Sequence, residues 1–311
     1  MRLRPSWLRL KMGLVVIGLW GIAAPHAQES GNGKAVDLLL VLAVDVSDSI
    51  NEKEAWLQRY GYADALSDPL IIAAIKGGRR GSIAVTYLEW AGPGEQHQVM
   101  GWTRIDSAES ARAAGAALKA APVSGGYWTS ISGALDRAVK LVAAAPFEAT
   151  RRVIDLSSDG RNNAGAPLAG ARQRALGKGI TINGLPVLIM RRNFSFPPMP
   201  NLDRYFSDCV IGGPGAFSIV VENYKDLAVS VRRKMIREIA GTFSAEGRVR
   251  PVAGKPGVPK FDCREEPPHA GRLPVVESEL GDTWIYGIAS DPKKTARMRA
   301  AMRHASACAA A

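Results

Sequence analysis

The 311-residue sequence is 47% hydrophobic and 22% charged, enough apolar material for a full core and too little charge for a disordered chain. Its formal net charge of +11 is concentrated at the ends: residues 1–27 hold Arg2, Arg4, Arg9 and Lys11 without an acid, and residues 291–311 hold Lys293, Lys294, Arg297, Arg299 and Arg303 against Asp291. The middle is only mildly basic and has no basic-aromatic motif, so no nucleic-acid partner is indicated.

The N-terminus has the pattern of a secretory signal, residues 1–27. A basic stretch ends at Lys11, and the apolar run Met12–Ala24 is too short to span a bilayer comfortably. Cleavage after Ala23, with Gly21 three residues back, obeys the small-residue rule better than cleavage after Ala27, which puts Pro25 at that position, and an uncleaved anchor is the alternative. Membrane contact is expected only through such an anchor or the basic tail. The expected location is the periplasm or outside the cell, where Cys209, Cys263 and Cys308 would meet oxidising conditions. Three cysteines allow at most one intramolecular bridge. Cys209–Cys263 is the expected pair, because Cys308 lies in a small-residue tail. The absence of C-x-x-C argues against a redox motif or a zinc knuckle.

Val36–Val44 is an almost unbroken apolar run, as in a parallel strand buried on both faces. It ends abruptly in Asp45-Val46-Ser47-Asp48-Ser49. A helix follows, in which Trp56, Tyr60 and Ala63 share one face. Pro69 interrupts it, and Leu70–Ile75 is a short apolar segment. Gly81–Trp90 is a second strand. His97–Thr103 is a third, and its short Gly92-Pro93-Gly94 connection requires antiparallel pairing. A helix covers about 107–120.

The loop Gly125–Ser130 leads into a helix with Ile131, Leu135, Val139 and Val142 facing inward and Asp136 and Lys140 paired outside. Arg152–Leu156 is a fourth strand, ending at Ser157-Ser158-Asp159-Gly160. A helix over about 167–176 and a fifth strand, Ile180–Ile189, follow. Residues 191–214 form a long loop, and Ala216–Val221 is a sixth strand. Asn223 caps a last helix that buries Leu227, Ala228, Val231, Met235 and Ile239 and ends at Gly241. The alternation predicts an α/β three-layer sandwich, a mostly parallel six-stranded sheet with one antiparallel edge strand and helices on both faces. This domain spans 34–241. Residues 242–311 form a C-terminal extension: a Pro/Gly-rich linker over 250–268, a lone strand at Thr283–Ala289 and a basic helix over 291–308.

Oxygen-bearing side chains collect in three loops at strand ends or helix starts: Asp45, Ser47 and Ser49; Thr129; and Asp159. In an open α/β sheet such loops share one edge, where binding crevices form. Two carboxylates and three hydroxyls are hard ligands, suited to Mg²⁺, Mn²⁺ or Ca²⁺ rather than zinc or copper. The same residues can instead serve as helix caps and turn closures. No histidine lies beside a nucleophile in sequence, and Gly212-Gly-Pro-Gly215 lacks the lysine of a P-loop. Trp128, next to Thr129, suits either packing or recognition. The Arg151-Arg152 and Arg191-Arg192 pairs are expected at the solvated surface.

Asp45-x-Ser47-x-Ser49 with Thr129 and Asp159 resembles the metal-ion-dependent adhesion site (MIDAS) of von Willebrand factor A domains. Tyr87-Leu-Glu-Trp90, Asp159-Gly-Arg-Asn-Asn163, Ile182-Asn-Gly-Leu-Pro186 and Asp208–Phe217 resemble an exported bacterial branch catalogued as a domain of unknown function. The resemblance implies direct metal binding by Ser47, Ser49 and Thr129, and direct or water-mediated binding by Asp45 and Asp159. It also implies an open coordination position for a partner protein's carboxylate, with Mg²⁺ the first expectation. One departure is Asp48, where the family pattern often has glycine between the serines. Two other functions fit the sequence: a metal-dependent hydrolase of phosphate or ester with Asp45 as nucleophile, and a metal-free envelope scaffold using its basic tail.

Overall fold

The apolar run beginning at Ala35 forms the axis of the molecule. In the computed structural model, which describes residues 34–188, 200–241, 261–263, 275–277 and 283–285, β1 (Ala35–Asp45), β2 (Ile83–Trp90), β3 (Gln96–Ile105), β4 (Glu148–Ser158) and β5 (Thr181–Pro186) form one sheet. The order is β3-β2-β1-β4-β5. All neighbours are parallel except β3, which lies antiparallel at the edge beside β2. Leu38, Leu40, Leu42 and Val44 of β1 face one core, and Val41 and Ala43 face the other. This two-residue alternation explains why β1 must be apolar throughout.

The first core is closed by α1 (Glu52–Leu66), α2 (Pro69–Lys76), α3 (Ala108–Ala120) and α7 (Tyr224–Ala240). The second is closed by α4 (Ile131–Ala143), α5 (Leu168–Gly177), α6 (Leu202–Tyr205) and the π-helical turn Phe206–Val210. Asp68 caps α2 and Pro69 occupies its first turn, so the Leu70–Ile75 segment is helical.

The sheet has five continuous strands rather than six. Residues 216–221 run beside β5 but pair only at isolated points, Gly184 with Ser218 and Val187 with Val221. Pro186 accepts a 3.0 Å bond from Val221 N but has no N–H to return, which interrupts the ladder. The expected lone strand at 283–289 is instead half of a hairpin, with β6 (Val275–Glu277) antiparallel to β7 (Thr283–Ile285).

Three local expectations need correction. Trp56 and Tyr60 do share a face, with ring centroids 5.5 Å apart, but Tyr60 is exposed. The face of α1 that packs inward carries Gln58, Arg59, Tyr62, Ala63 and Leu66, with Arg59 paired to buried Glu89 and Gln58 Nε2 donating to Asp45 O at 3.5 Å. Asp136 pairs with Arg174 of α5, at 2.8 and 2.9 Å, rather than with Lys140. Ala228 of α7 is exposed, although Leu227, Val231, Met235 and Ile239 are buried.

Cys209 and Cys263 form a disulfide with Cα atoms 5.4 Å apart, as expected. It ties the π-helical turn to Phe261–Cys263, whose Phe261 N donates to Asp208 at 2.8 Å. The signal segment 1–27, the first part of the 191–214 loop with Arg191-Arg192, most of the 250–268 linker, the 291–308 helix and Cys308 lie outside the described residues. Among the described residues no helix is long and apolar enough to cross a membrane.

Candidate metal site

The strand order reverses at β1: the chain builds outward to β3, then returns to place β4 on the other side of β1. The carboxyl ends of β1 and β4 therefore flank the switch point of the sheet, where crevices open. Val44 pairs with Ser157, which sets Asp45 beside Ser158 and Asp159. The Gly125–Trp128 loop is drawn over the same edge, with Ser47 bridged to Gly126.

All five oxygen-bearing side chains singled out in the sequence converge here. Ser47 Oγ lies 3.2 Å from Ser49 Oγ and 3.5 Å from Thr129 Oγ1. Ser49 Oγ donates to Asp159 Oδ1 at 2.8 Å. Asp45 Oδ1 accepts from Ser47 N at 2.8 Å, and its Oδ2 accepts from the Ser158 hydroxyl. Asp45 and Ser47 are fully buried, Thr129 nearly so, and Ser49 and Asp159 are half-buried at the mouth. Asp48 points to solvent, so it adds charge to the rim and not to the cluster. The Asp45 carboxyl is pushed up to about 7, first by burial and then by the neighbouring Asp159 charge.

The supporting residues carry weaker marks in the sequence. Ser158 donates to Asp45 and accepts from Gly160 N at 3.1 Å, so one hydroxyl holds both the carboxylate and the Asp159-Gly160 turn. Asn163 Oδ1 accepts from Thr129 N at 2.7 Å, and Asn162 Oδ1 accepts from Ser132 N at 2.9 Å. These asparagines fix the start of α4 against the β4 loop. Glu95 Oε2 accepts from Gly92 N and Tyr127 N. Gly126 leaves room for that carboxylate, since a Cβ there would lie 2.4 Å from it. Buried Arg59 and Glu89 form an ion pair, and Glu89 Oε2 accepts from Ser124 N at 2.8 Å, anchoring the loop that delivers Thr129. Trp128 adopts φ 67° and remains 37% exposed beside Thr129, which settles its surroundings as surface rather than core.

A family model with the description protein of unknown function, DUF1194, matches residues 35–243, which include the whole sheet and the cluster. The chain belongs to the DUF1194 family. No curated protein matches this DUF1194 chain. Among solved structures it is similar to proximal thread matrix protein 1 from the mussel byssus with zinc-occupied MIDAS motif, at 15% identity and a TM-score of 0.50. That match covers 66% of this chain and 48% of the other. The von Willebrand factor type A protein from Catenulispora acidiphila is 17% identical with a TM-score of 0.47, covering 66% and 43%. The pilus adhesin SpaC from Lactobacillus rhamnosus GG, in its open conformation, is 15% identical with a TM-score of 0.49, covering 66% and 30%. The DUF1194 chain thus spans less than half the length of each, and the likeness is one of fold: a von Willebrand factor A-like sandwich.

Proposed function

We propose that this DUF1194 protein is exported and binds a partner protein through a divalent cation held by Asp45, Ser47, Ser49, Thr129 and Asp159. The observation that carries the reading is the convergence of two carboxylates and three hydroxyls from three separate loops at the switch point. Burial first and the Asp159 charge second disfavour an ionised Asp45, and a dication would relieve both. The donor set is all oxygen, which favours Mg²⁺, with Mn²⁺ or Ca²⁺ as alternatives. A bound cation would supply Lewis acidity toward a carboxylate on the partner, while the hydroxyl ligands leave its charge only partly neutralised. Half-buried Ser49 and Asp159 give that partner its approach.

The full burial of Asp45, with both oxygens already accepting hydrogen bonds, supports a cation-holding role over nucleophilic attack on an outside ester. The Cys209–Cys263 disulfide supports export to an oxidising compartment. The reading is tested by thermal unfolding with Mg²⁺ or Mn²⁺ and with chelator. Wild type should gain stability with the cation and Asp45→Ala should not. A wild type indifferent to every dication would overturn it.

A further inference from the structure

A second polar cavity lies at the opposite edge of the sheet, under the amino ends of β4 and β5, and it measures ≈ 350 Å³. That is the size of a small-molecule pocket. Its walls are cationic. The Arg237 guanidinium stacks 3.8 Å above the Phe217 ring and makes no ion pair with any described residue. Arg151 reaches in from β4 and uses part of its donor edge on the last carbonyls of α7, bonding Ile239 O at 2.9 Å and also Glu238 O. Burial lowers the pKa of both guanidiniums, and for Arg151 the Glu238 and Asp37 charges oppose that shift.

The floor is Glu238, 1% exposed. Its Oε1 accepts from Asn183 Nδ2 at 3.0 Å and from Lys234 Nζ at 2.6 Å, but Oε2 has no partner. Lys234 also pairs with Asp155 at 2.6 Å, so one buried ammonium serves two buried carboxylates. Burial and the Asp155 charge push the Glu238 carboxyl up to about 8. Two guanidiniums on the wall of a polar cavity are complementary to an acceptor-rich oxyanion.

We propose that this cavity binds a small ligand through an oxyanion group, a carboxylate or a phosphate, gripped by Arg237 and Arg151 with Glu238 at its floor. The site is separate from the Asp45 cluster and does not depend on a cation there.

The test is calorimetric titration of the full chain, in chelator, with inorganic phosphate and separately with succinate, using chloride at matched ionic strength as control. Saturable binding of one and not the other identifies the oxyanion. Arg237→Gln should weaken it about tenfold or more, the loss expected for a charge-assisted bond. Glu238→Gln, which keeps an acceptor for Asn183 and Lys234 and places an amide donor at the free position, should retain binding, as should Asp45→Ala. If Arg237→Gln loses the fold by circular dichroism, Arg237→Lys must show the weakening instead, because it keeps the charge but not the two-pronged edge. No saturable binding of either anion by wild type, or unchanged binding in the arginine variants, overturns the proposal.

Discussion

Ser49 Oγ donates to Asp159 Oδ1 at 2.8 Å, joining side chains 110 positions apart at the mouth of the cluster. The hydroxyl keeps lone pairs for a cation while its proton orients the carboxylate. Ser49→Ala should therefore lower Mg²⁺ affinity by about tenfold or more while leaving both carboxylates in place. Because Ser49 is half-buried, unfolding stability in chelator should change by only about 1 kcal/mol. Titration calorimetry paired with denaturant unfolding separates the two effects. An affinity equal to wild type would remove Ser49 from the ligand set.

Asp45 should show opposite signs in the two conditions. Its folded-state carboxyl is raised from 3.8 to about 7, so without a cation it binds protons more tightly folded than unfolded. Its stability contribution is then complete below 3.8 and is lost as pH rises through about 7. With a dication the dependence reverses, because protons compete for the same oxygens and affinity falls as pH drops below about 7. Asp45→Asn should flatten the pH profile in chelator and abolish the metal-induced rise in melting temperature. A variant that still responds to Mg²⁺ would contradict the assignment.

Ser158 is predicted to matter without touching a cation. It holds Asp45 Oδ2 and the Gly160 amide with one hydroxyl. Ser158→Ala leaves Asp45 with one fewer donor and loosens the turn carrying Asp159. Metal affinity should fall about 10- to 100-fold with the fold intact by circular dichroism. An affinity within twofold of wild type would show that the backbone alone positions the turn.

The cluster was legible from the sequence because each ligand loop follows an unmistakable strand or opens a helix. Asp45 follows an apolar run, and Asp159 follows Arg152–Leu156. The parallel order then dictates that strand ends meet. Ser158, Asn162, Asn163 and Glu95 were not legible, since a hydroxyl or amide in a turn looks alike whether it bonds a ligand, a loop or water. The burial of Arg59 left no mark in the sequence for a different reason. A charged residue marks a helix's outer face unless a partner waits in the core, and Glu89, inside the second strand, shows itself as that partner only once the strand is placed. Arg151 is the same case, expected in solvent but spent on the carbonyls of α7. The sixth strand was lost to Pro186, whose missing N–H matters only once its neighbour is known.

The buried set Asp155, Lys234 and Glu238 should give the fold a second pH dependence, distant from the metal cluster. Glu238 rises from 4.5 to about 8 through burial and the Asp155 charge. A raised folded-state pKa means stability present in full below 4.5 and lost as pH rises through about 8. Glu238→Gln keeps the acceptor used by Asn183 and Lys234 and leaves Asp155 and Lys234 as a balanced pair. Its melting temperature should exceed that of wild type at pH 9, with the difference shrinking toward pH 5. A constant difference across that range would mean that Glu238 does not titrate there.

The disulfide is expected to stabilise both the fold and the metal turn. Cys209 and Cys263 are 54 positions apart, so the bridge closes a long loop and restricts the unfolded chain. It also holds Phe261 under the Arg161 guanidinium, 4.1 Å from the ring, and against Tyr205, with centroids 5.4 Å apart. Tyr205 in turn accepts a 3.2 Å bond from Asn162 N, in the turn that carries Asp159. Cys209→Ser should cost about 2–5 kcal/mol in unfolding free energy. Because the bridge reaches the Asp159 turn through Tyr205 and Asn162 rather than by touching a ligand, Mg²⁺ affinity should fall less than in Ser158→Ala. Denaturant unfolding and metal titration of this variant, with wild type under reducing conditions as a parallel, check both parts. Unchanged stability in the variant and in reduced wild type would show that packing around Phe206 and Val210 holds the segment without the bridge.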